Sequence, residues 1–229
     1  MAQTSLIPPI PLFEGLDRIE LERLADAIVH RHFPRNAIIL WQEDSGGTLF
    51  ILERGKVKVS LFSDEGREIV LATLGPGDCF GELAILTGGV RSATVTAVTD
   101  CDVGVLDGKM FEQALASSHK LALTLLRLLG TRLREADDRI GDLALLDVYG
   151  RVARHLLKIA AKAEKVGGVL VIHPAPSPTA IAERIGSSRE TVSRVLSDLE
   201  RRGIIARSDR TFVIRRPGAL SGTEKGRQA

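Results

Sequence analysis

Two short stretches of this 229-residue chain carry the residues best suited to chemistry. In the first, Phe80-Gly81-Glu82-Leu83 opens a short helix directly after a glycine turn, and Arg91-Ser92 follows just ahead of a strand. N–H groups at a helix start attract an anion, and a guanidinium beside them suits a single phosphate. A neighbouring carboxylate suits a sugar hydroxyl. Arg91 could instead pair structurally with Glu82, since Gly-Glu-Leu alone is a common string. In the second stretch, Ser187 or Ser188 caps a helix over 189–202 with Val192, Val195, Leu196 and Leu199 on its apolar face. Its opening turns present Arg189, Glu190, Ser193 and Arg194. Arginine forks onto guanine O6 and N7, and glutamate accepts from cytosine N4. A glutamate would be a poor choice for indiscriminate phosphate binding, so this face reads as one that distinguishes DNA bases. The plainer alternative is a helical hairpin that only packs.

Other chemistry finds little support. No nucleophile–base–acid set stands out, so no enzyme is expected. Two cysteines, Cys79 and Cys101, cannot build a disulfide framework or a four-thiolate site, and no His/Cys pair has metal-ligand spacing. A metal site is therefore not expected. Cys79 reads as core, with a haem ligand as the minor alternative.

The elements that must position these residues follow from periodicity. Leu16, Ile19, Leu21, Leu24, Ala27 and Ile28 predict a short amphipathic helix. Over 37–106 short apolar runs are punctuated by glycines at 46, 47, 55, 66, 75, 77, 88 and 89, as many short strands with tight turns require. Within them 56–62 alternates polar and apolar. A helix over 109–116 comes next, and Ser117-Ser118 can cap a long one over 119–146. On that helix Ala122, Leu126, Leu129, Leu133, Ala136, Ile140 and Leu143 step alternately by four and three, an a/d seam suited to pairing with a second copy. Packing along its own domain is the other reading. Asp147 caps a predicted helix over 148–165, Gly167-Gly168 breaks it, and 169–172 is a strand. Ser177-Pro178 starts a helix that Gly186 closes, giving with the next helix a helix-turn-helix. Arg207-Ser208-Asp209-Arg210 form the tip of a hairpin whose arginines suit phosphate. From Pro217 a disordered tail is expected.

Charge divides the chain. From Gly150 onward there are 16 Lys and Arg against 7 Asp and Glu, a net of +9, and the preceding residues carry −7. Only the second part is expected to meet a polyanion. No apolar run approaches a membrane span, and the start, Met1-Ala2-Gln3-Thr4-Ser5-Leu6-Ile7-Pro8-Pro9, lacks a signal-peptide pattern, so a cytoplasmic protein is expected.

From about residue 12 to 215 the chain resembles the cyclic AMP receptor protein/FNR superfamily of transcription regulators. The resemblance is carried by Phe80-Gly81-Glu82-Leu83 with Arg91-Ser92-Ala93, by Leu143-Ala144-Leu145-Leu146-Asp147-Val148, and by Ser188-Arg189-Glu190-Thr191-Val192-Ser193-Arg194. It implies an α+β protein: an antiparallel, jelly-roll-like β-roll with its N-terminal helix (1–117), a long dimerisation helix (118–146), a winged helix-turn-helix (147–216) and a tail (217–229). It implies that Arg91 and Ser92 hold a cyclic phosphate, with Gly81 and Leu83 beside it and Glu82 on the ribose. Ser188, Arg189, Glu190, Ser193 and Arg194, with Arg207 and Arg210 of the wing, would meet DNA. The partners implied are near-palindromic double-stranded DNA, a second copy and RNA polymerase. The effector implied is a cyclic nucleotide, cyclic AMP ahead of cyclic GMP, with no tightly bound cofactor. A cyclic di-GMP sensor and a ligand-independent regulator with a vestigial pocket are the alternatives. The sequence departs from that pattern at Ala136-Asp137, where the receptor protein has a Thr-Ser pair against adenine. Asp137 could accept from an exocyclic amine instead. It also departs at Pro178, where a phosphate-contacting arginine is replaced, and over 165–173, which does not match the polymerase-contacting loop.

Overall fold

The computed structural model describes residues 10–161, 163–166, 169–208 and 210–220. Gly167-Gly168, Asp209 and the stretch 221–229 lie outside them. The described chain divides into two compact units, and the boundary between Arg134 and Glu135 falls inside one long helix.

The first unit opens with a 3-10 turn, Pro11–Phe13, and α1, Arg18–Ala27. Asp17 caps α1 reciprocally with Glu20. Of the apolar residues expected on this helix Leu24 is buried, as is Ile28 at its C-cap, and Ile19 and Leu21 are exposed. The strands β1 (Val29–Phe33), β2 (Ile38–Leu40), β3 (Thr48–Arg54), β4 (Val57–Phe62), β5 (Glu68–Leu74) and β6 (Cys79–Phe80) lead to α2, Glu82–Thr87. After it come β7 (Thr94–Ala97), β8 (Cys101–Asp107), α3 (Gly108–Ser117) and α4 (His119–Leu145). All strand pairs are antiparallel, in two four-stranded sheets ordered β1-β8-β3-β6 and β2-β7-β4-β5, which makes the expected roll.

Strand β3 is buried on both of its faces, which explains its unbroken apolar run. Leu49 and Ile51 turn toward a cluster with Leu24, Ile85, Phe111, Leu121 and Leu125 of the helices. Phe50 and Leu52 turn the other way, toward Val57, Val95 and Ala97 of the second sheet. The register of β4 with β5 shifts between Val59 and Ser60, with Leu71 of β5 as the extra residue. Ser60 is buried, and its hydroxyl donates to Glu68 Oε1 at 2.6 Å.

Leu121 and Leu125 of α4 are buried in the roll's core, with Leu129 packed against it. Of the seam, the large residues other than Leu129 differ. Leu126 and Leu133 are each 63% exposed, Ile140 64% and Leu143 53%. An apolar stripe therefore lies uncovered along α4.

The second unit holds the end of α4 and then α5 (Val148–Ala160), β9 (Glu164–Val166), β10 (Val169–Ile172), α6 (Pro178–Ile185), α7 (Arg189–Arg201), β11 (Ile205–Ser208), β12 (Thr211–Ile214) and α8 (Pro217–Leu220). Asp147 caps α5 by accepting from the Gly150 N–H at 2.7 Å. The expected helix to residue 165 is corrected: it ends at Ala160, and 164–166 instead pair with β10 in a sheet ordered β11-β12-β10-β9. The expected disorder from Pro217 is corrected for 217–220, a helical turn started by proline whose Leu220 is buried in this unit's core. That core joins Val152 and Leu156 of α5, Ile181 and Ile185 of α6, Val192, Leu196 and Leu199 of α7, and Phe212 and Ile214 of β12. On α4 the carboxylate of Asp142 pairs with Arg154 at 2.7 Å, and Asp138 with Lys158 at 3.3 Å. The long helix, expected as a segment of its own, thus contributes its first part to one unit and its last turns to the other. Among the described residues no helix is long and apolar enough to cross a membrane.

Candidate functional site

Gly81 turns β6 into α2 with φ +86°, a left-handed value that side chains resist. An added Cβ there would also stand 2.7 Å from Arg91 Nη1. This close approach lets Arg91 lie buried beneath the turn, 4% exposed. Its Nη1 donates to the carbonyls of Gly81 at 2.9 Å and Thr48 at 3.0 Å, and its Nη2 to Thr48 Oγ1 at 2.8 Å. The guanidinium sits over the Phe50 ring, 5.6 Å from its centre. Burial lowers its pKa, while Asp44 and Glu82 work the other way. No carboxylate among the described residues makes an ion pair with it. Among the described residues, the hydrogen bonds of this buried cation go to neutral oxygens alone.

Glu82 does not pair with Arg91. Its buried carboxylate accepts from Arg132 Nη1 at 2.5 Å, and Arg132 Nη2 donates to the Cys79 carbonyl at 2.6 Å. Arg132 on α4 is the residue that sequence reasoning missed. Nothing local sets it apart from its neighbours Arg127, Arg134 and Arg139. Burial, with Glu82 nearby, pushes the Cys79 thiol up to about 12, and its side chain belongs to the core, as expected. The structure therefore gathers Gly81, Glu82 and Arg91. Leu83 is exposed on α2, and Ser92 is exposed without a hydrogen bond to any described residue. With only six residues in α2, the charge for an anion comes mainly from Arg91. Asp137 falls in the second unit, exposed and without an ion pair among the described residues.

In that second unit the local signals act as expected. Ser177 Oγ accepts from the Ala180 N–H at 3.1 Å, and Pro178 occupies the first turn of α6. Gly186 closes the helix at φ +65°. Ser188 then caps α7 by accepting from the Thr191 N–H at 3.2 Å. With Val192, Leu196 and Leu199 fully buried, the first turns face outward: Ser188, Arg189, Glu190 and Arg194 are exposed, and Ser193 is half-buried. Hydrogen bonds from its own N–H and from Ser188, with smaller help from Arg189 and Arg194, hold the Glu190 carboxyl below the usual range. It is an ionised acceptor, the form that a cytosine amino group needs.

The hairpin β11–β12 forms the wing, with Arg210 exposed at its turn. Arg207, expected at the hairpin tip, is placed before the turn. Arg207 lies within β11, and its Nε and Nη2 donate to Glu200 Oε2 of α7 at 3.0 and 2.7 Å.

A β-roll with a buried arginine under a glycine turn, followed in sequence by a winged helix-turn-helix with an exposed polar face, defines a ligand-binding and DNA-binding regulator. Residues 30–118 match the cyclic nucleotide-binding domain, and 150–222 match the Crp-like helix-turn-helix domain. The chain belongs to the CRP/FNR superfamily of transcription regulators. It is 32% identical over 204 residues to the CRP-like cAMP-activated global transcriptional regulator of Mycobacterium tuberculosis, covering 89% of this chain and 91% of that protein. It is 31% identical over 192 residues to the cAMP-activated global transcriptional regulator CRP of Salmonella typhimurium, covering 83% and 91%. Among solved structures, the Thermus thermophilus catabolite activator protein is similar at 33% identity and a TM-score of 0.54, over 92% of this chain and 96% of that one. The c-di-GMP responsive regulator CLP of Xanthomonas campestris shares the fold at a TM-score of 0.75 and 24% identity, over 86% and 99%.

Proposed function

We propose that this chain is a homodimeric, sequence-specific regulator whose DNA affinity is set by a cyclic nucleotide, cyclic AMP ahead of cyclic GMP. The observation that carries the reading is Arg91: a buried guanidinium without an ionic partner is costly, and a cyclic phosphate would supply the missing charge. Three N–H bonds go to protein oxygens, which leaves two of the five donors of an arginine for that anion. Gly81, Leu83 and Ser92 would border the phosphate, Glu82 would take the ribose hydroxyl, and Asp137 would meet the base. The names of the cAMP-activated relatives favour adenine.

The uncovered stripe on α4 supports pairing with a second copy, which would set two reading helices about one DNA turn apart, ~34 Å, on a near-palindrome. Arg189, Glu190 and Arg194 would read base edges, with Ser188, Ser193 and Arg210 alongside. Nucleotide binding would shift the population toward this arrangement, and RNA polymerase would be the downstream partner. A regulator that binds DNA without ligand is the second reading, favoured by the way protein oxygens already satisfy part of Arg91. Titration calorimetry with cyclic AMP, cyclic GMP, cyclic di-GMP and linear AMP tests the pocket. Cyclic AMP should bind most tightly and linear AMP weakly, and no binding by any of the four would overturn the reading.

A further inference from the structure

The arginines along α7 and in β11 fall into two groups. Arg189 and Arg194 are exposed on the first turns of α7 and make no ion pair with any described residue. At the far end of α7 and in β11, each arginine is engaged within the chain. Arg201 pairs with Asp198. Arg202 donates to the Tyr149 hydroxyl at 2.8 Å and lies over its ring. Arg207 places both Nε and Nη2 on one oxygen of Glu200 and lies 3.5 Å from Ser197 Oγ.

Of these contacts the Arg207 pair is the ion pair that joins two elements. Glu200 stands in the last full turn of α7, and Arg207 stands on the wing strand opposite Phe212. Both side chains are about two-thirds covered, Arg207 31% and Glu200 38% exposed. The guanidinium holds the Glu200 carboxyl below its ordinary range, so the pair is ionic at neutral pH. A carboxylate in this place does what a DNA phosphate would otherwise do: it accepts the arginine fork.

We infer that Glu200 holds Arg207 away from the DNA backbone, so that Arg207 fixes the wing to the reading helix as a positioning residue and makes no phosphate contact. The inference rests on the DNA-binding role of α7. One consequence is weaker indiscriminate binding. Every phosphate contact adds affinity for all sequences alike, so withholding one favours the ratio of specific to non-specific binding.

The salt dependence of DNA binding separates positioning from contact. Full-length wild type, Arg207→Ala, Glu200→Ala and the double variant are titrated by fluorescence anisotropy against a random-sequence duplex over a range of KCl, with circular dichroism to verify folding. Each phosphate contact contributes roughly 0.9 to the slope of log K against log salt. Arg207→Ala should keep the wild-type slope. Glu200→Ala should steepen it by roughly one contact and bind several-fold tighter at low salt, because the released guanidinium reaches phosphate. In the double variant that gain should vanish. A slope lowered by Arg207→Ala would mean that Arg207 already contacts phosphate and would overturn the inference. So would a Glu200→Ala slope equal to wild type, or a gain that persists without Arg207. If wild type shows no salt-dependent binding to any duplex, the DNA-binding reading itself fails and the inference falls with it. Should Glu200→Ala prove unfolded, Glu200→Gln is substituted and the same slopes decide.

Discussion

Arg132 Nη1 stands 2.5 Å from Glu82 Oε1, so the long helix grips the short helix at the edge of the candidate pocket through a nearly buried carboxylate. Its second nitrogen takes the Cys79 carbonyl, which ties the same guanidinium to the strand before the glycine turn. Removing Arg132 would leave Glu82 charged, covered and unpaired. Arg132→Ala should cost on the order of 3 kcal/mol of stability and weaken nucleotide binding with it. Chemical denaturation of both proteins checks the first effect. A variant as stable as wild type would show that Glu82 is satisfied without Arg132.

Gly81→Ala probes the geometry around Arg91 without touching a charge. The added methyl would stand 2.7 Å from Arg91 Nη1 and 3.0 Å from the Thr48 carbonyl, on a backbone at φ +86°. Strain and displacement of the guanidinium together should lower stability by about 1–3 kcal/mol and raise the nucleotide Kd. Calorimetry with cyclic AMP reads the second effect, and an unchanged Kd would detach Gly81 from the pocket.

The stripe on α4 makes a prediction about assembly. Burying one leucine or isoleucine is worth about 1.5–3 kcal/mol, so Leu133→Glu or Ile140→Glu should raise the dimer dissociation constant by about tenfold or more. Sedimentation velocity over a concentration series measures it. Wild type that remains monomeric at high concentration would rule out the seam.

His155 supplies a pH test of the second unit. Burial, helped by Lys158, pulls its pKa from 6.5 down to about 4. The unfolded chain therefore binds a proton near pH 6.5 while the folded chain does not until about pH 4. Stability should fall as the pH drops through that window and then level in this respect. His155→Gln should lose less over the same interval, by at most about 3 kcal/mol. Urea unfolding of both proteins between those pH values decides, and parallel curves would contradict the assignment.

Local signals made the DNA-facing helices legible. Ser177-Pro178, Gly186 and Ser188 act within three or four residues of themselves, and each does in the structure what its chemistry requires. The roll was legible in outline because glycines mark turns at Gly55, Gly66, Gly77 and Gly88, all at positive φ. Long-range relationships were not. β1, Val-His-Arg-His-Phe, has mostly exposed side chains and is a strand because β8 pairs with it, with His32 held by Asp102 at 2.7 Å. Strand β9 continues a helix-forming stretch but takes its hydrogen bonds from β10. Arg91 could be chosen as the anion anchor from its place beside a glycine turn, whereas Arg132 reaches Glu82 across 50 residues. For Arg207 a polar hairpin suggested phosphate, and only the fold reveals Glu200 beside it.

The central claim is that a nucleotide at Arg91 controls binding of DNA by α7. Fluorescence anisotropy of a labelled near-palindromic duplex, obtained by selection from randomised sequence, at fixed salt, with and without saturating cyclic AMP, tests it for wild type and Arg91→Ala. Coupling between distinct sites commonly amounts to about 5–150-fold in affinity. The expected result is tightening of wild type within that range and none for a folded Arg91→Ala protein. Equal wild-type affinity with and without cyclic AMP, cyclic GMP or cyclic di-GMP would contradict it and leave a regulator that binds DNA without a ligand.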